Sequence, residues 1–329
     1  MSQISSGKSS NTEPHKKAAI AIDLGGTNLR MGVVDGRGNV VHWQEEHTPA
    51  SKQEIIDSII AKVNNGVSLA QRDALKVTGV GISSGGRVNH ESGIIVDSTS
   101  LLPDWKEVHI KEAIEKSLDI PVAVDNDGNC SAVAEKIFGK ARFINNFISI
   151  ALGTGIGGGI YTDGKLLRGE NNYAAEIGHV TVNADGPECA CGGCGCVELY
   201  ASGSGLVRWA KEEFPVLAAA EKGHQLSAKS IGNSARSGNA AAIKLLNRAG
   251  MMLGAAAAGW VNIFNPSKIV LSGSLVDLGE PYFGPFRKTV LERAIKPTAD
   301  YLEIIFSDFH EKAGIIGAAS LVFQDVINE

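Results

Sequence analysis

Three textures alternate along this chain: short unbroken apolar runs, longer stretches with an apolar residue every third or fourth position, and glycine- or aspartate-rich breaks. They read as buried strands, amphipathic helices and turns. AAIAIDLGGTNLRMGVVDGRGNVV (18–41) opens on an apolar strand that ends at Asp23, turns at glycine, returns as a second strand and reaches a DGRG hairpin turn. Residues 52–75 carry helical spacing, and VTGVGISSGG (77–86) is a buried strand running into a glycine loop. IPVAVDNDGNCSAVAEKIFGKA (120–141) reads as a short strand, a polar turn and a helix starting near Asp127. The opening pattern then recurs in FISIALGTGIGGGIYTDGKLL (147–167): apolar strand, glycine-rich turn, strand, glycine-containing hairpin. This is a weak internal repeat at long separation, which points to two related halves and not to a solenoid. Helices are expected over 204–213, 238–264 and 281–296, a strand in SKIVLSGS (267–274) and a last helix from about Gly314. Alternating strands and helices make the class α/β.

Composition changes this picture little. At 329 residues the chain has room for two cores, and 43% hydrophobic with 20% charged residues is ordinary for a globular protein. A formal net charge of -5 argues against a nucleic-acid surface. Residues 1–17 read as a flexible polar tail without the apolar core of a signal peptide, and the longest apolar run, MMLGAAAAGWVNIF (251–264), is too short and glycine-broken for a membrane span. The expectation is therefore a cytoplasmic protein with no membrane and no nucleic-acid partner. In that reducing setting clustered cysteines point to metal before disulfide.

The candidate chemistry sits in the breaks. Asp23-Leu24-Gly25-Gly26-Thr27-Asn28 and the Gly153–Gly159 turn each join glycines to a threonine. Glycine lets backbone N–H groups approach an anion closely. Either hairpin alone is as readily a tight turn without a ligand; two of them at the ends of apolar strands point to phosphate. Asp23 would repel phosphate unless a cation lay between, which suggests Mg²⁺. The stretch from Gly159 to Lys165 imitates a P-loop, but Leu166 stands where a hydroxyl must hold Mg²⁺. A dinucleotide loop fails as well, since no helix follows. Asp127, after the strand IPVAV, is placed either to accept a proton from a substrate hydroxyl or to cap the next helix.

Four of the five cysteines fall between Cys189 and Cys196, ten residues after His179. His179, Cys189, Cys191 and Cys196 have the chemistry of a tetrahedral, structural zinc site. The spacing leaves Cys191 and Cys194 open as an alternative pair, and a redox or incidental cluster as another reading. A metal there would fix one ring nitrogen of His179 and leave the other for a ligand, with Glu176 and Glu198 pinned alongside.

DLGGTNLR (23–30), DNDGNCSAVAE (125–135), GTGIGGGI (153–160) and EIGH followed by CACGGCGCVELYASG together resemble the ROK family of repressors, open reading frames and sugar kinases. The resemblance spans Ala18 to the C-terminus. It implies the actin-like, ribonuclease-H-like ATPase fold: two domains around a cleft, here 18–126 with 315–329 and 127–314. It implies ATP-dependent phosphorylation of a sugar 6-hydroxyl, with Asp127 as the base. Gly86, Arg87, Thr99, Asn126, Glu176, His179 and Glu198 would hold the sugar. Asp23, Gly25, Gly26, Thr27 and Asn28 would meet the phosphates and Mg²⁺, joined by Thr154 and Gly155, while Ser272, Gly273 and Ser274 would lie by the adenosine. His179, Cys189, Cys191 and Cys196 match the family's zinc ligands; Cys194 does not.

Within the family, GVGISSGGRVN (79–89), DSTSLLPDW (97–105) and DNDGN in place of the ENDAN of glucokinases are most similar to the N-acetylmannosamine kinase domain of the bifunctional sialic acid enzyme. N-acetylmannosamine is therefore the expected substrate, with glucose and N-acetylglucosamine as alternatives. Ser84 replaces a threonine usual in those relatives. A repressor of the family would need an N-terminal helix-turn-helix, for which the stretch before Ala18 is too short; a silent sugar binder is the other alternative. The family is commonly dimeric.

Overall fold

The structure, a computed structural model, describes residues 16–98, 102, 104–220 and 225–327. Two five-stranded mixed sheets carry the fold. The first is built from β1 (Lys17–Leu24), β2 (Asn28–Asp35), β3 (Val40–His47), β4 (Lys76–Ser84) and β7 (Val122–Asn126), in the order β3-β2-β1-β4-β7. Between them lie α1 (Lys52–Arg72), a two-stranded ribbon of β5 (Arg87–Asn89) and β6 (Ile94–Asp97), and α2 (Ile110–Leu118). The second sheet has β8 (Phe147–Leu152), β9 (Ile156–Thr162), β10 (Lys165–Leu166), β11 (Lys268–Ser272) and β12 (Glu303–Phe306), in the order β10-β9-β8-β11-β12.

The repeat read from the two glycine hairpins is a repeat of topology. In each sheet three strands run as an antiparallel meander and two more add in parallel beside the first: β4 and β7 beside β1, β11 and β12 beside β8. Parallel addition demands helical crossovers. These are α1 and α2 in the first half, and α4 (Glu198–Ala201), α5 (Gly203–Glu213), α6 (Pro215–Ala220), α7 (Ala228–Arg236), α8 (Ala240–Phe264) and α9 (Glu280–Arg293) in the second.

Two helices bind the halves together. α3 (Asp127–Ile137) starts directly from β7, with no intervening turn, and α10 (Ala313–Ile327) ends the described chain. Ala19, Ala21 and Val34 of the first sheet share one apolar cluster with Phe147, Tyr161 and Val270 of the second, through Cys130 and Val133 of α3 and Ile315 and Ala318 of α10. Glycine sets how closely these layers approach. A β-carbon on Gly128 would stand 2.5 Å from the Gly158 nitrogen, and one on Gly317 would stand 2.7 Å from the Cys130 carbonyl oxygen. α3 therefore lies backbone-to-backbone on β9, and α10 likewise on α3.

β1 begins at Lys17, inside the expected tail, because Lys17 still pairs with Lys76. The helix expected over 281–296 ends at Arg293 and the one over 52–75 at Arg72. Elements with few buried positions were not expected at all: α2 buries only Ile110 and Ile114, and no residue of β3 or β12 is fully buried. Among the described residues no helix is long and apolar enough to cross a membrane.

Candidate active site

Asp127 stands at the first position of α3, where the halves meet. The cap of that helix is Asn126: its Oδ1 accepts from the backbone N–H of Gly128 (2.9 Å) and Asn129 (3.3 Å), and its Nδ2 donates to the Gly86 carbonyl (2.8 Å). The N-cap position thus belongs to its neighbour, while Asp127 Oδ1 shares the Gly128 N–H at 2.8 Å. The Asp127 carboxylate is open to solvent along the cleft yet walled by protein, with Gly157 of β9 beside it. Desolvation by those walls, reinforced by the negative charges of Asp23 and Glu176, pushes its pKa up to about 6.

Asp23 ends the buried part of β1 and is 15% exposed. Burial raises its pKa, while Arg30, 3.2 Å away across the hairpin, opposes the rise. Arg30 also pairs with Glu45 at 3.3 Å, and Glu45 accepts from Asn28 Nδ2 at 2.6 Å. The first glycine turn is closed by Gly25 N–H donating to the Asn28 carbonyl (3.0 Å) and held by Thr48, whose hydroxyl donates to the Gly25 carbonyl (2.6 Å). A β-carbon on Gly314 would run into the Asp23 carboxylate, so α10 starts directly over it. Gly26 and Thr27 complete this turn.

The second glycine turn, Gly153 to Gly155, is braced from behind. Gly203 and Ser204 of α5 donate backbone N–H groups to the Gly153 (2.8 Å) and Thr154 (3.1 Å) carbonyls. One oxygen of Glu198 accepts from the Ile156 N–H at 2.8 Å, and no side chain at Gly155 would leave it room. Glu198 therefore belongs to the hairpin as well as to the expected sugar site. Glu176 lies near it: burial raises its pKa, Glu198 and Asp97 add to this, and His179 and Arg87 counter it.

His179 Nδ1 is 3.6 Å from Cys189 Sγ, Cys191 Sγ is 3.6 Å from Cys196 Sγ, and all four ligand atoms lie within 4.8 Å of one another. Thiolates about 2.3 Å from a tetrahedral zinc stand roughly 3.8 Å apart, so this set fits the ion. Cys194 points elsewhere, its thiol 3.3 Å from the Ala184 carbonyl.

Other expected site residues fare differently. Arg87 is forked onto Asp97, with Nε 2.8 Å from Oδ1 and the second guanidinium nitrogen on Oδ2, and its head faces the Tyr173 ring at 5.9 Å. Gly86 holds φ +97° where a β-carbon would strike the backbone of Asp97 and Ser98, so glycine is required there. Thr99 lies outside the described residues. Ser272 is only 4% exposed, and its hydroxyl turns inward to Ser131 (3.3 Å), so its side chain is withdrawn from the surface that Gly273 and Ser274 present. Gly273, at φ +92°, and Ser274 stay exposed beyond the strand end.

Sequence reasoning passed over Asp125, Arg30 and Asp97, each of which holds a residue it did name, and Arg168, which pairs with Asp125. Their signal was faint: a charge inside or just beyond an apolar strand demands a partner, but which partner is a matter of tertiary structure.

The sequence pattern of the ROK family matches residues 19–325. Glucokinase of Streptomyces coelicolor is 35% identical over 315 residues, covering 92% of this chain and 96% of its own. Glucokinase of Thermotoga maritima is 33% identical over 319 residues, covering 94% and 99%. The structure of a ROK family glucokinase from Streptomyces griseus in complex with glucose and AMPPNP matches with a TM-score of 0.81 at 33% identity, over 93% of this chain and 99% of that one. With the duplicated sheet topology and the cleft between its halves, these likenesses identify the chain as a member of the ROK family with the two-domain, actin-like ATPase fold.

Proposed function

We propose that this protein transfers the γ-phosphoryl group of ATP to the 6-hydroxyl of a hexose held in the cleft. One observation carries the reading: with Asn126 as the cap of α3, Asp127 stands as a carboxylate of raised pKa between two glycine hairpins, its Oδ1 accepting from the Gly128 N–H at 2.8 Å. As the sugar O6 forms its bond to the γ-phosphorus and the bond to the bridging oxygen of ADP breaks, the hydroxyl proton passes to Asp127. Little covalent chemistry is asked of the protein beyond this; positioning and charge neutralisation do the rest. The backbone of Gly25, Gly26, Thr27 and Asn28 and of Thr154 and Gly155 would cradle the phosphates, Gly273 and Ser274 would border the adenosine, and Mg²⁺ near Asp23 would offset negative charge. Zinc on His179, Cys189, Cys191 and Cys196 would have no open position and would hold the His179 ring by Nδ1, leaving Nε2 for a sugar hydroxyl. Gly86, Arg87, Asn126, Glu176 and Glu198 complete the proposed sugar site. The lobes would close as 18–126 with 315–329 against 127–314, hinged where β7 passes into α3 and at the start of α10.

Glucose is the first candidate, because relatives at 33–35% identity over almost the whole chain are glucokinases. N-acetylmannosamine is the second, favoured by the segments 79–89 and 97–105 and by Gly128 in DNDGN. The test is ADP release with ATP and Mg²⁺ and, separately, glucose, N-acetylmannosamine and N-acetylglucosamine. Sugar-dependent ADP that falls on the order of 10²–10⁴-fold in Asp127→Asn, with sugar still bound, is expected. No sugar-dependent ADP, or undiminished turnover in Asp127→Asn, refutes the reading.

A further inference from the structure

We infer that Arg168 is a positioning residue for this transfer: through Asp125 it ties the strand end that presents Asp127 to the loop that presents Glu176 and His179. The inference rests on the kinase reading above. Asp125 is the last residue but one of β7, and its side chain is 1% exposed. One oxygen accepts from the backbone N–H of Asn126 (2.8 Å) and from Asn129 Nδ2 (2.9 Å), which flank Asp127 on both sides. The other oxygen meets Arg168 at 2.7 Å, with His90 Nδ1 3.6 Å off. The His90 ring lies mainly against the Val124 carbonyl, at 2.9 Å.

Arg168 comes from the other half of the molecule, two residues past β10. Its carbonyl accepts from Ala174 N–H at 3.0 Å, and the Ala175 carbonyl from Ile177 N–H at 2.7 Å. Asn172 and Ala175 both hold positive φ, +66° and +68°. A loop kept in so sparsely populated a conformation is over-determined by its surroundings. It leads directly to Glu176 and His179. The Arg168–Asp125 pair thus crosses from one sheet to the other between the proposed base and the proposed sugar ligands.

Stability is a weak reason for such a pair, since a buried ion pair often adds little over an apolar one. Fixed geometry between two halves is a better one. A shift of about 1 Å between base and substrate is enough to cost on the order of 10²-fold in rate.

The test compares Arg168→Gln, Asp125→Asn and the double variant in the full chain. Arg168→Gln is expected to lower Tm, because it leaves the Asp125 charge buried and unpaired. It should also lower kcat about 10- to 100-fold and leave KM for ATP within about twofold. In the double variant the orphan charge is gone, so Tm should recover while kcat stays at least about tenfold down. Backbone hydrogen exchange in the metal-replete protein is expected to quicken together at 126–129 and 169–179 in both. Recovery of kcat along with Tm overturns the inference, as does kcat within about threefold of wild type in Arg168→Gln. Faster exchange confined to 169–179 overturns it too. If wild-type protein turns over no sugar, the kinase reading fails, and the exchange result alone decides whether the two segments are coupled.

Discussion

Gly314→Ala tests the placement of Asp23 without touching its chemistry. A β-carbon at Gly314 would come within 2.5 Å of Asp23 Oδ1 and as near to the rest of the carboxyl group. Ordinary contact needs about 1 Å more. Helix α10 cannot easily retreat, because Gly317 packs against the α3 backbone and Ile315, Ala318 and Ala319 are buried between the sheets. The carboxylate must therefore swing aside, straining its 3.2 Å pair with Arg30. If Asp23 faces a Mg²⁺ ion at about 4 Å, moving it to about 5 Å weakens a one-by-two charge attraction by roughly 1.7 kcal/mol at an effective dielectric of about 20. That is about a twentyfold loss in kcat/KM for MgATP. KM for sugar should hold within about twofold, since Asp23 is not among the proposed sugar ligands.

Overpacking should also lower Tm by several degrees, on the order of 1–3 kcal/mol. Gly259→Ala on α8 controls for that: nothing lies within 4 Å of its added carbon, so Tm should hold or rise with kinetics unchanged. Kinetics would be read by coupled ADP release over a Mg²⁺ titration, and Tm by thermal denaturation. Unchanged kcat/KM for MgATP in Gly314→Ala, with Tm reduced, would refute the placement of Asp23 at the nucleotide.

Further expectations concern the base, the metal and the nucleotide edge. With the Asp127 pKa at about 6 in the free protein, kcat/KM for sugar should climb from pH 5 to about pH 7 and then level, a limb that Asp127→Asn removes. A carboxylate whose native pKa is raised favours folding while protonated and loses that contribution as pH rises from about 4 through 6. Asp127→Asn should thus match the wild-type Tm near pH 4 and exceed it at pH 7.5, by only about 1–3 °C because the group is partly in water. Chelation, or Cys189→Ser, should release one zinc per chain, lower Tm and raise KM for sugar more than KM for ATP, whereas Cys194→Ser should do none of these; zinc assay and kinetics check both. Ser272→Ala should leave KM for ATP unchanged, while Gly273→Ala, forced at φ +92° against the Leu152 backbone, should raise it and lower Tm.

Much of this site is legible in the sequence because it is local. An apolar strand that ends in glycine and threonine announces a hairpin wherever it occurs, and cysteines clustered within eight residues announce a candidate metal site. The illegible parts are those that a register of one residue or a tertiary pairing decides. Asn126 and Asp127 are equally good caps by type, and only the exact end of β7 gives the task to Asn126. Ile269, Val270, Leu271 and Ser272 are all buried, so no polar face betrays that the Ser272 hydroxyl turns inward. Asp125 lies in the first sheet and Arg168 in the loop just past the second, and Arg87 belongs to a ribbon too short to show periodicity. Such partners are fixed by how two lobes stack, which nothing in the pattern along the chain encodes.

The charge of the cleft gives the proposed order of events a physical basis. Asp23, Asp127 and Glu176 all have raised pKa values, and burial is the largest cause for each. Without ligand, the protein therefore holds several carboxylates in walls that resist ionisation. A bare triphosphate would add to that repulsion, and hairpin N–H groups alone would have to offset it; a divalent cation reverses the sign of the balance near Asp23. A sugar acts differently. Its hydroxyls are neutral donors, and each one given to Asp127 or Glu176 favours the ionised carboxylate. On the proposed reading, sugar binding thus lowers the pKa of Asp127 and readies it as a base before the phosphates arrive. The proposed sugar site also takes Gly86, Arg87 and Asn126 from the other lobe, so on the same reading the sugar that ionises the base would also draw the cleft closed, and ATP without sugar would meet an open and partly protonated site that turns it over poorly.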